Sequence, residues 1–428
     1  MTSHAATPGT PPARVSPLAP VFISYRTSDG SDLAAALAWA LRSTGVPVWH
    51  DITDLPPGDT ARRLQEALGS GLSGAVLLVT PDIEYSTVVR EIELPGLLAL
   101  EPDPAFTFAV GSITRPSAEA GTGAHLDYAA PDRLLLQPAG TLQRFKQYPM
   151  FTGEQIAVLA REIVSQRMQA LRPEGRTMID LDLQTRLDPR GTPSEVALAV
   201  RTRPPRAGQR TPDPEIWPQF GAFLTDLPRL LGLAGADGVH VRGGAHLSIA
   251  LALGTAVPET SPWQVTVEDQ TGTVWGEPGT RPAPRITLAD EQVEADGAGA
   301  QGSPIAVYVD LVPSQPPVDT FTAHLAHHPG EFAAAFRLTP RRRRPIPATA
   351  GSAVVADLAS RIRAHAAQAA TRRVHLFLRV PFPIAVLLGR TLNTLEVTVY
   401  EWDDAPSIAR YVPVATLASG RGGGPLIL

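Results

Sequence analysis

The chain has 428 residues, a formal net charge of −5 and a pI of about 6.1, so it is long enough for two or three domains and has no general positive charge for binding long nucleic acid. It contains no cysteine, which excludes disulfides, thiolate nucleophiles and zinc sites with cysteine ligands. It also lacks an apolar run of about 18 residues and a secretory signal, so we expect a cytoplasmic protein that does not bind membranes.

The amino-terminal third alternates between apolar runs and helical patterns. Residues 1–19 are rich in Pro, Thr and Ala and predict a disordered leader. The segments that follow predict, in chain order, a strand at 21–24, a helix at 33–41, a strand at 46–49, a helix at 62–68, and strands at 75–79 and 106–110. Such an alternation predicts βαβ units, and therefore an α/β fold with a parallel sheet. A long helical pattern from Glu154 to Leu171 predicts a helix that connects this part to the rest of the chain.

Two glutamates stand two residues apart in the stretch TVVREIELPG, which begins at Thr87. On a helix, residues two apart point to nearly opposite sides, so at most one of Glu91 and Glu93 can face a given cleft. Glu93 shares the face of Val89, and this phase favours Glu93 as the residue beside the strand ends. Glu91 stays the alternative, because a slip in where the helix begins would exchange the two roles. Pro95 cannot donate a hydrogen bond to the carbonyl of Glu91, so we expect the helix to kink or end there.

The carboxy-terminal part contains an internal repeat with an offset of 135 residues. The residue pairs that recur in register are Val239/Val374, His240/His375, Ile249/Ile384, Ala250/Ala385, Leu253/Leu388 and Gly254/Gly389. Val-Thr-Val at 265–267 and 397–399 recurs after a change of three residues in the spacing. Each copy, around 239–269 and 374–403, predicts a strand, a loop, a short helix and a strand. Two such halves would face each other across a pseudo-two-fold axis, with strand-end loops and helix N-termini lining a crevice suited to phosphates.

Residues 21–100 resemble a TIR domain. The motifs that carry the resemblance are VFISYRTSD from Val21, VPVWHD from Val46, LPPG from Leu55 and the segment from Ser86 to Leu94. The resemblance implies a flavodoxin-like parallel sheet. It also implies one of two functions, because many bacterial TIR domains cleave nicotinamide from NAD while others are adaptors.

The same resemblance implies which residues would act on NAD. The family's catalytic glutamate lies on the helix after the strand at 75–79, a place that Glu93 matches best and Glu91 second. Nicotinamide is a neutral leaving group, so one carboxylate beside the ribose is sufficient and no metal is required. The residues that would line the nucleotide side or the loop above it are Tyr25, Arg26, Asp29, Trp49, Asp51 and Leu55.

The residues from 176 onward resemble a SAVED domain, a sensor of cyclic oligonucleotides in bacterial antiphage systems. The motifs are HLFLRVP from His375, AVLLGRTLN from Ala385 and VTVYE from Val397. The resemblance implies two fused CARF-like Rossmannoid halves and a small cyclic ligand, often cyclic tri-adenylate. The candidate ligand-binding residues are two strand-end arginines of the repeats, a histidine at a helix start, two aromatic residues and two further arginines: Arg242, Arg379, His246, Tyr400, Trp402, Arg201 and Arg203.

Two other clusters are weaker candidates for a functional site. The run Arg341 to Arg344 is interpreted as a solvated loop, with a nucleic-acid patch as the alternative. His324, His327 and His328 have no accompanying carboxylate or cysteine framework, so we expect no metal site.

These patterns together predict four segments: a leader at 1–19, a TIR domain at 20–150, a connecting helix at 151–175 and a SAVED domain at 176–428. The main hypothesis is an NAD hydrolase of the type found in CBASS antiphage systems, which assembles into an oligomer or filament when a cyclic oligonucleotide binds. The alternative is a non-enzymatic TIR adaptor coupled to a cyclic-nucleotide sensor.

Overall fold

The computed structural model describes residues 14–49, 69, 71–116, 125–186, 195–206, 209–277, 284–294, 299–300, 302–314, 319–403, 410–418 and 426–427. The predicted helix at 62–68 lies outside these residues. The chain forms two compact units, of which the first contains residues 1–176, 188–201 and 233–235, and the second contains the remainder. None of the described helices is both long and apolar enough to cross a membrane.

The first unit is built on a five-stranded parallel sheet in the order β2-β1-β3-β4-β5. Its strands are β1 (Val21–Ser24), β2 (Val48–Trp49), β3 (Gly74–Val79), β4 (Thr107–Ser112) and β5 (Gln147–Pro149). This is the flavodoxin-like strand order, in which ligands bind outside the carboxyl ends of the strands where the order reverses, between β1 and β3. Every residue of β3 is buried because both faces of a parallel sheet are covered. The predicted α/β class is therefore confirmed.

The helices of the first unit are α1 (Thr27–Ser43), α2 (Leu94–Leu100), α3 (Ala130–Leu134) and α4 (Gly153–Leu171). Leu97 and Leu100 of α2 pack against Phe22, Trp49 and Ala75 on one sheet face. The helix α4 begins with a capping box between Thr152 and Gln155. Residues 14–19, which composition places in a leader, pack on this unit: Val15 bridges to Leu72 and Ala19 is fully buried. The strand β7 (Leu198–Arg201) also belongs to this unit.

The helix that carries the two glutamates does not end at Pro95. Residues Val89–Glu93 form a π-helical turn that continues directly into α2. The backbone N–H of Leu94 donates to the carbonyl of Val89, five residues earlier. Proline has no N–H to donate to Glu91, so a wider turn replaces the α-helical bond that Pro95 would break. We expected a kink or an end here, and the structure shows a π-helical turn.

The second unit contains two sheets. In the first, the four strands that belong to this unit lie in the order β10-β9-β8-β6, with β6 (Met178–Gln184), β8 (Gly238–Gly244) and β9 (Gln264–Glu268) parallel and β10 (Val274–Trp275) antiparallel. The helices that accompany these strands are α5 (Trp217–Ala234) and α6 (Leu247–Ala256).

The second sheet has the order β11-β13-β12-β14-β15-β16-β17. Its strands are β11 (Leu288–Val293), β12 (Ile305–Asp310), β13 (Ala334–Pro340), β14 (Arg373–Arg379), β15 (Glu396–Asp403), β16 (Arg410–Ala418) and β17 (Leu426–Ile427), and its helices are α7 (Thr320–His327), α8 (Gly351–Gln368) and α9 (Phe382–Thr391). The four central strands β13, β12, β14 and β15 are parallel. Short 3-10 turns lie at Pro81–Tyr85, Arg172–Glu174, Pro214–Ile216 and Ala348–Ala350.

The sequence repeat coincides with a repeat of elements. The strands β8 and β14 each have seven residues and begin 135 positions apart, at Gly238 and Arg373. The helices α6 and α9 each have ten residues and begin 135 positions apart, at Leu247 and Phe382. These two helices pack on each other through their repeated glycines. A Cβ atom on Gly254 would collide with the carbonyl oxygen of Val386, and one on Gly389 would collide with that of Leu251. Gly254 and Gly389 are 135 positions apart, and so are Leu251 and Val386, so each contact is the repeat of the other. A pseudo-two-fold axis between α6 and α9 requires this relation.

Candidate functional sites

Glu93 lies at the carboxyl end of β1, the edge of the sheet where ligands bind in this strand order. Its carboxylate Oε2 accepts a hydrogen bond of 2.6 Å from the hydroxyl of Ser24, the last residue of β1. Ser24 is fully buried and Glu93 is only 7% exposed. Glu93 is the last residue of the π-helical turn, so this turn sets the position of the carboxylate. A buried carboxylate held by a hydroxyl donor at a strand end is therefore the main chemical feature of the first unit.

Glu91 has the opposite placement. Its side chain is 64% exposed, and its carboxylate pairs with Arg90 at 3.1 Å. Arg90 also donates to the backbone carbonyl of Glu84 at 3.4 Å. Glu91 is thus accessible to solvent, whereas Glu93 is enclosed by the sheet and its own helix.

The loop after β1 is fixed by Asp29. Its carboxylate accepts hydrogen bonds from the hydroxyl of Thr80 at 2.8 Å and from the backbone N–H of Asp82 at 2.9 Å. These bonds tie the start of α1 to the segment that follows β3, the two strand ends between which a ligand would lie. Asp29 therefore shapes the edge of this cleft through protein contacts.

Tyr25 and Arg26 lie in the same loop. Tyr25 is buried, and its ring is 3.3 Å from where a Cβ of Gly30 would be, so glycine allows this close approach. The guanidinium group of Arg26 lies over the ring of Tyr85, 5.6 Å from its centre, and its Nε donates to Ser28. Tyr85 is 65% exposed at the rim of the cleft, and sequence reasoning missed it.

Trp49 is a core residue in this structure. It is 9% exposed at the end of β2 and packs with Phe22, Ala75 and Leu97. We had expected it to cover the nucleotide. Asp51 and Leu55, the other two residues assigned to this cover, lie outside the described residues.

In the second unit, His246 precedes α6 as predicted but is fully engaged with the protein. Its Nδ1 is 2.8 Å from the hydroxyl of Thr185, and its Nε2 is 2.9 Å from the backbone carbonyl of Arg210, to which it can only donate. Burial lowers the pKa of His246 to about 4, so the ring is neutral at pH 7. Through these contacts, His246 connects three segments of the second unit.

The N-terminus of α6 is occupied by a carboxylate from the other half of the unit. Glu401 of β15 accepts hydrogen bonds of 2.7 Å from both the backbone N–H and the hydroxyl of Ser248. Burial raises the pKa of Glu401. At the equivalent end of α9, Pro381 and Pro383 have no N–H to donate. Neither helix start therefore offers the open set of N–H groups that the sequence predicted for a phosphate.

Arg379 occupies a different environment, at the end of β14. Its Nη1 donates to the carboxylate of Asp310 at 2.9 Å, and Asp310 also receives Nη1 of Arg343 at 3.0 Å. Arg343 belongs to the four-arginine run that we interpreted as a solvated loop. Asp310 could have been found from the sequence, because it directly follows an apolar run that forms β12. Polar residues at the ends of neighbouring parallel strands lie close together.

The remaining predicted ligand residues are dispersed. Arg242, on β8, lines an open concavity of about 500 Å³ together with Asp182 and Glu268. Arg201 ends β7 in the first unit, and Arg203 is exposed. Within the second unit, Arg242 and Arg379 therefore lie in different environments.

The two aromatic candidates belong to the core of the second sheet. Tyr400 is 5% exposed, stacks on Phe377 with ring centres 4.2 Å apart, and its hydroxyl is 2.9 Å from Nδ1 of His375. Trp402 packs edge-on against Tyr411 at 5.1 Å. Both rings are used for internal packing, where stacking on a base was expected.

Of the two histidines of α7, His324 lies in the same core and His327 is exposed. His324 is buried, and its ring centre is 4.3 Å from that of His328 and 5.3 Å from that of Tyr400. Burial lowers the pKa of His324 and of His375 to about 4, with neighbouring positive groups adding to the shift. Within the described residues, no three His, Asp or Glu side chains are grouped so that they could hold a metal ion.

Comparison with known proteins identifies both parts of the chain. Residues 21–94 match the TIR domain family, and residues 223–417 match SAVED, the "SMODS-associated and fused to various effectors sensor domain". An NAD(+) hydrolase, PdTIR of Paracoccus denitrificans, is 39% identical over 82 residues, and a 2' cyclic ADP-D-ribose synthase, BtTIR of Bacteroides thetaiotaomicron, is 35% identical over 83 residues. Each match covers 19% of this chain and only 27% or 28% of the relative, so the chain spans about a quarter of the length of the curated relatives it matches.

Solved structures of Cap4 SAVED/CARF-domain receptors are also similar over most of the chain. That of Acinetobacter baumannii, with the cyclic trinucleotide 2'3'3'-cAAA, covers 92% of this chain and 99% of its own at 13% identity and a TM-score of 0.45. That of Moraxella osloensis covers 90% and 96% at 13% identity and a TM-score of 0.37. The two family matches are sufficient for the domains themselves: the chain has a TIR domain at its amino-terminal end and a SAVED domain in its carboxy-terminal half.

Proposed function

We propose that this protein is an NAD+ hydrolase whose activity is switched on by a cyclic oligonucleotide. The observation that carries the proposal is the carboxylate of Glu93, held by Ser24 at the carboxyl end of β1. The matched TIR segment includes this residue, and a relative that is 39% identical over 82 residues is named an NAD(+) hydrolase. NAD is the substrate, and the reaction as proposed uses no metal.

The reaction breaks the bond between the nicotinamide nitrogen and the ribose carbon. Nicotinamide leaves as a neutral molecule, so the ribose gains positive charge in the transition state. A fixed carboxylate beside this carbon stabilises the charge, and the low exposure of Glu93 strengthens the interaction by excluding water. Water then attacks to give ADP-ribose, or an internal hydroxyl attacks to give a cyclised product.

The residues have distinct roles in this proposal. Glu93 is the catalytic carboxylate, and Glu91 is the alternative because its exposed side chain is open to a ligand. Tyr25 and Arg26 line the nucleotide side through their loop, and Asp29 holds that loop in place. Asp51 and Leu55 would contribute the cover above the nucleotide.

The second unit is the sensor in this proposal. The SAVED description names it a sensor fused to various effectors, and here the fused effector is the TIR domain. We propose cyclic tri-adenylate as the activator and assembly of several copies, as an oligomer or filament, as the response. Such coupling requires that the ligand binds the assembled form better than the free form. The resulting loss of NAD would serve antiphage defence of the CBASS type in the cytoplasm.

The second candidate function is a non-enzymatic adaptor, in which the TIR domain recruits another protein. The low exposure of Glu93 favours it, because little of this carboxylate is open to a substrate. The two functions differ in whether nicotinamide is released.

The test is to incubate the full chain with NAD and a panel of cyclic oligonucleotides and to measure free nicotinamide. We expect release with at least one ligand, and a loss of about 100-fold or more in the Glu93→Gln variant, because the amide cannot stabilise positive charge on the ribose. The Glu84→Gln variant is the matched control, since Glu84 is an exposed glutamate close to the same cleft and should retain activity.

Three outcomes would change the assignment. Full activity in Glu93→Gln together with loss in Glu91→Gln would transfer the catalytic role to Glu91. Ligand binding without nicotinamide release would support the adaptor. An unchanged size on gel filtration after ligand addition would remove assembly from the proposal.

A further inference from the structure

A buried carboxylate in the second unit holds two arginines side by side. Asp310 ends β12 and is 1% exposed, and its two oxygens receive Nη1 of Arg379 and Nη1 of Arg343 at 2.9 and 3.0 Å. The arginine side chains are 25% and 28% exposed, so their heads reach the surface while the carboxylate does not. A ligand approaching this point would meet guanidinium groups and not the acid beneath them.

The two guanidinium groups also converge on a second acceptor. Nη1 of Arg379 donates to the backbone carbonyl of Ser314 at 2.7 Å, and Nη1 of Arg343 reaches the same oxygen at 3.3 Å. Two positive heads therefore share one carboxylate and one carbonyl, and the trio has a net charge of +1. Like charges held this close repel each other, and an anion placed on their exposed side would relieve the repulsion.

Among the described strand ends of the other half, this trio has no equivalent. The register of β12 and β14 pairs Asp310 with Arg379, and the corresponding register of β6 and β8 pairs Gln184 with Gly244. Gly244 lies 135 residues before Arg379, so the repeat keeps the strands but not the charges. The start of α6 is already filled by Glu401, and the start of α9 carries two prolines. Among the described strand ends and helix starts of the repeats, the paired arginines on Asp310 are a feature of the second half.

We propose that Arg343 and Arg379, positioned by Asp310, bind one phosphodiester of the cyclic oligonucleotide. The inference rests on the proposed sensor function and assigns its anion-binding residues. Arginine suits this role because its planar group donates two parallel hydrogen bonds to phosphate oxygens. The four-arginine run then contains one ligand-binding residue, Arg343, and three exposed ones.

The test is calorimetric titration of the full chain with cyclic tri-adenylate. Arg343→Gln and Arg379→Gln should each weaken binding about 10- to 100-fold, because each removes hydrogen bonds between charged groups. Binding should also become less sensitive to salt in both variants, since one charge contact with the ligand is lost. Arg343→Lys keeps the charge but loses the planar fork, so we expect an intermediate affinity, and this variant serves if Arg343→Gln does not fold.

Arg341→Gln and Arg344→Gln are the matched controls, because they remove the same charge from exposed positions of the same run. They should bind cyclic tri-adenylate as the unmodified protein does. Equal weakening in all four glutamine variants would overturn the proposal in favour of a general electrostatic effect. Unchanged affinity in Arg343→Gln, with the unmodified thermal stability, would overturn it as well.

The result also separates this proposal from the sensor function on which it rests. If the unmodified protein binds cyclic tri-adenylate and Arg343→Gln binds it equally, only the residue assignment fails. If the unmodified protein binds none of a panel of cyclic oligonucleotides, the sensor function fails and the assignment fails with it.

Discussion

Arg167 of α4 is 2% exposed and holds three segments of the first unit together. Among the described residues its acceptors are four backbone carbonyls and one hydroxyl, those of Leu18, Ala19, Val196, Ala197 and Ser73, at 2.6 to 2.9 Å. Burial lowers its pKa to about 9, which still leaves it charged at pH 7. A charge buried against neutral acceptors is stable only while all of its hydrogen bonds are formed.

The Arg167→Lys variant should therefore lower the free energy of unfolding of the first unit by about 3 to 5 kcal/mol. Lysine keeps the charge but cannot reach five acceptors in three directions. Denaturant unfolding of the full chain measures the change. Arg161→Lys, at an exposed position of the same helix, is the control and should differ little. Equal stability of the two variants would show that the hydrogen bonds of Arg167 contribute little.

At the same scale, sequence reasoning found residue types but not their partners. Glu93 could be favoured over Glu91 because helical phase is a local property of the chain. The bond to Ser24 could not be found, since it joins residues 69 positions apart. Asp310 and Arg343 were missed for the same reason. Tyr400 and Trp402 were assigned to the ligand site because aromatic residues suit both a core and a ligand site.

At the scale of elements, the pair α6 and α9 forms the seam between the two halves of the second unit. The repeated Gly254 and Gly389 allow the two backbones to touch, and each faces a carbonyl oxygen of the other helix. A backbone carbonyl cannot rotate away from an added methyl group as a side chain can. The repeat could be predicted from sequence because identical residues recur in register, but the contact between its two glycines could not.

Gly254→Ala should destabilise the second unit by about 3 kcal/mol, because the new methyl group forces the helices apart. Thermal unfolding of the full chain measures this effect. Gly153→Ala, where a Cβ would meet nothing within 4 Å, should leave stability unchanged or slightly raised. A Gly254→Ala protein as stable as the Gly153→Ala protein would contradict close helix packing at the seam.

At the scale of the whole molecule, the second unit contains three histidines whose pKa burial lowers to about 4: His246, His324 and His375. In the unfolded chain a histidine has a pKa of about 6.5, so the unfolded state binds more protons between the two values. The stability that these neutral histidines give to the second unit is therefore fully present above about pH 6.5. It is lost as the pH falls towards 4. Each histidine contributes a slope of about 1.4 kcal/mol per pH unit within this window.

His324→Phe should reduce this slope, because phenylalanine fits among the same aromatic rings and does not titrate. The Nε2 atom of His324 has no hydrogen-bond partner among the described residues, so the change should also raise stability at acidic pH. Thermal unfolding from pH 4 to pH 8 tests both effects. His327→Phe, at an exposed position of the same helix, should keep the original slope. An unchanged slope in His324→Phe would refute the buried neutral state.

The arginine pair on Asp310 occurs in one half of a repeated scaffold, and this has a consequence for a ring of three identical nucleotides. When its three linkages are also identical, such a ring looks the same after each third of a turn, so any of its three phosphates can occupy the anchor proposed on Asp310. The three equivalent orientations favour binding by a statistical factor of three, or about 0.6 kcal/mol. A ring with one different base has one best orientation and loses this factor even if every contact is retained. A receptor with a single anchor therefore discriminates among rings by their symmetry as well as by their bases.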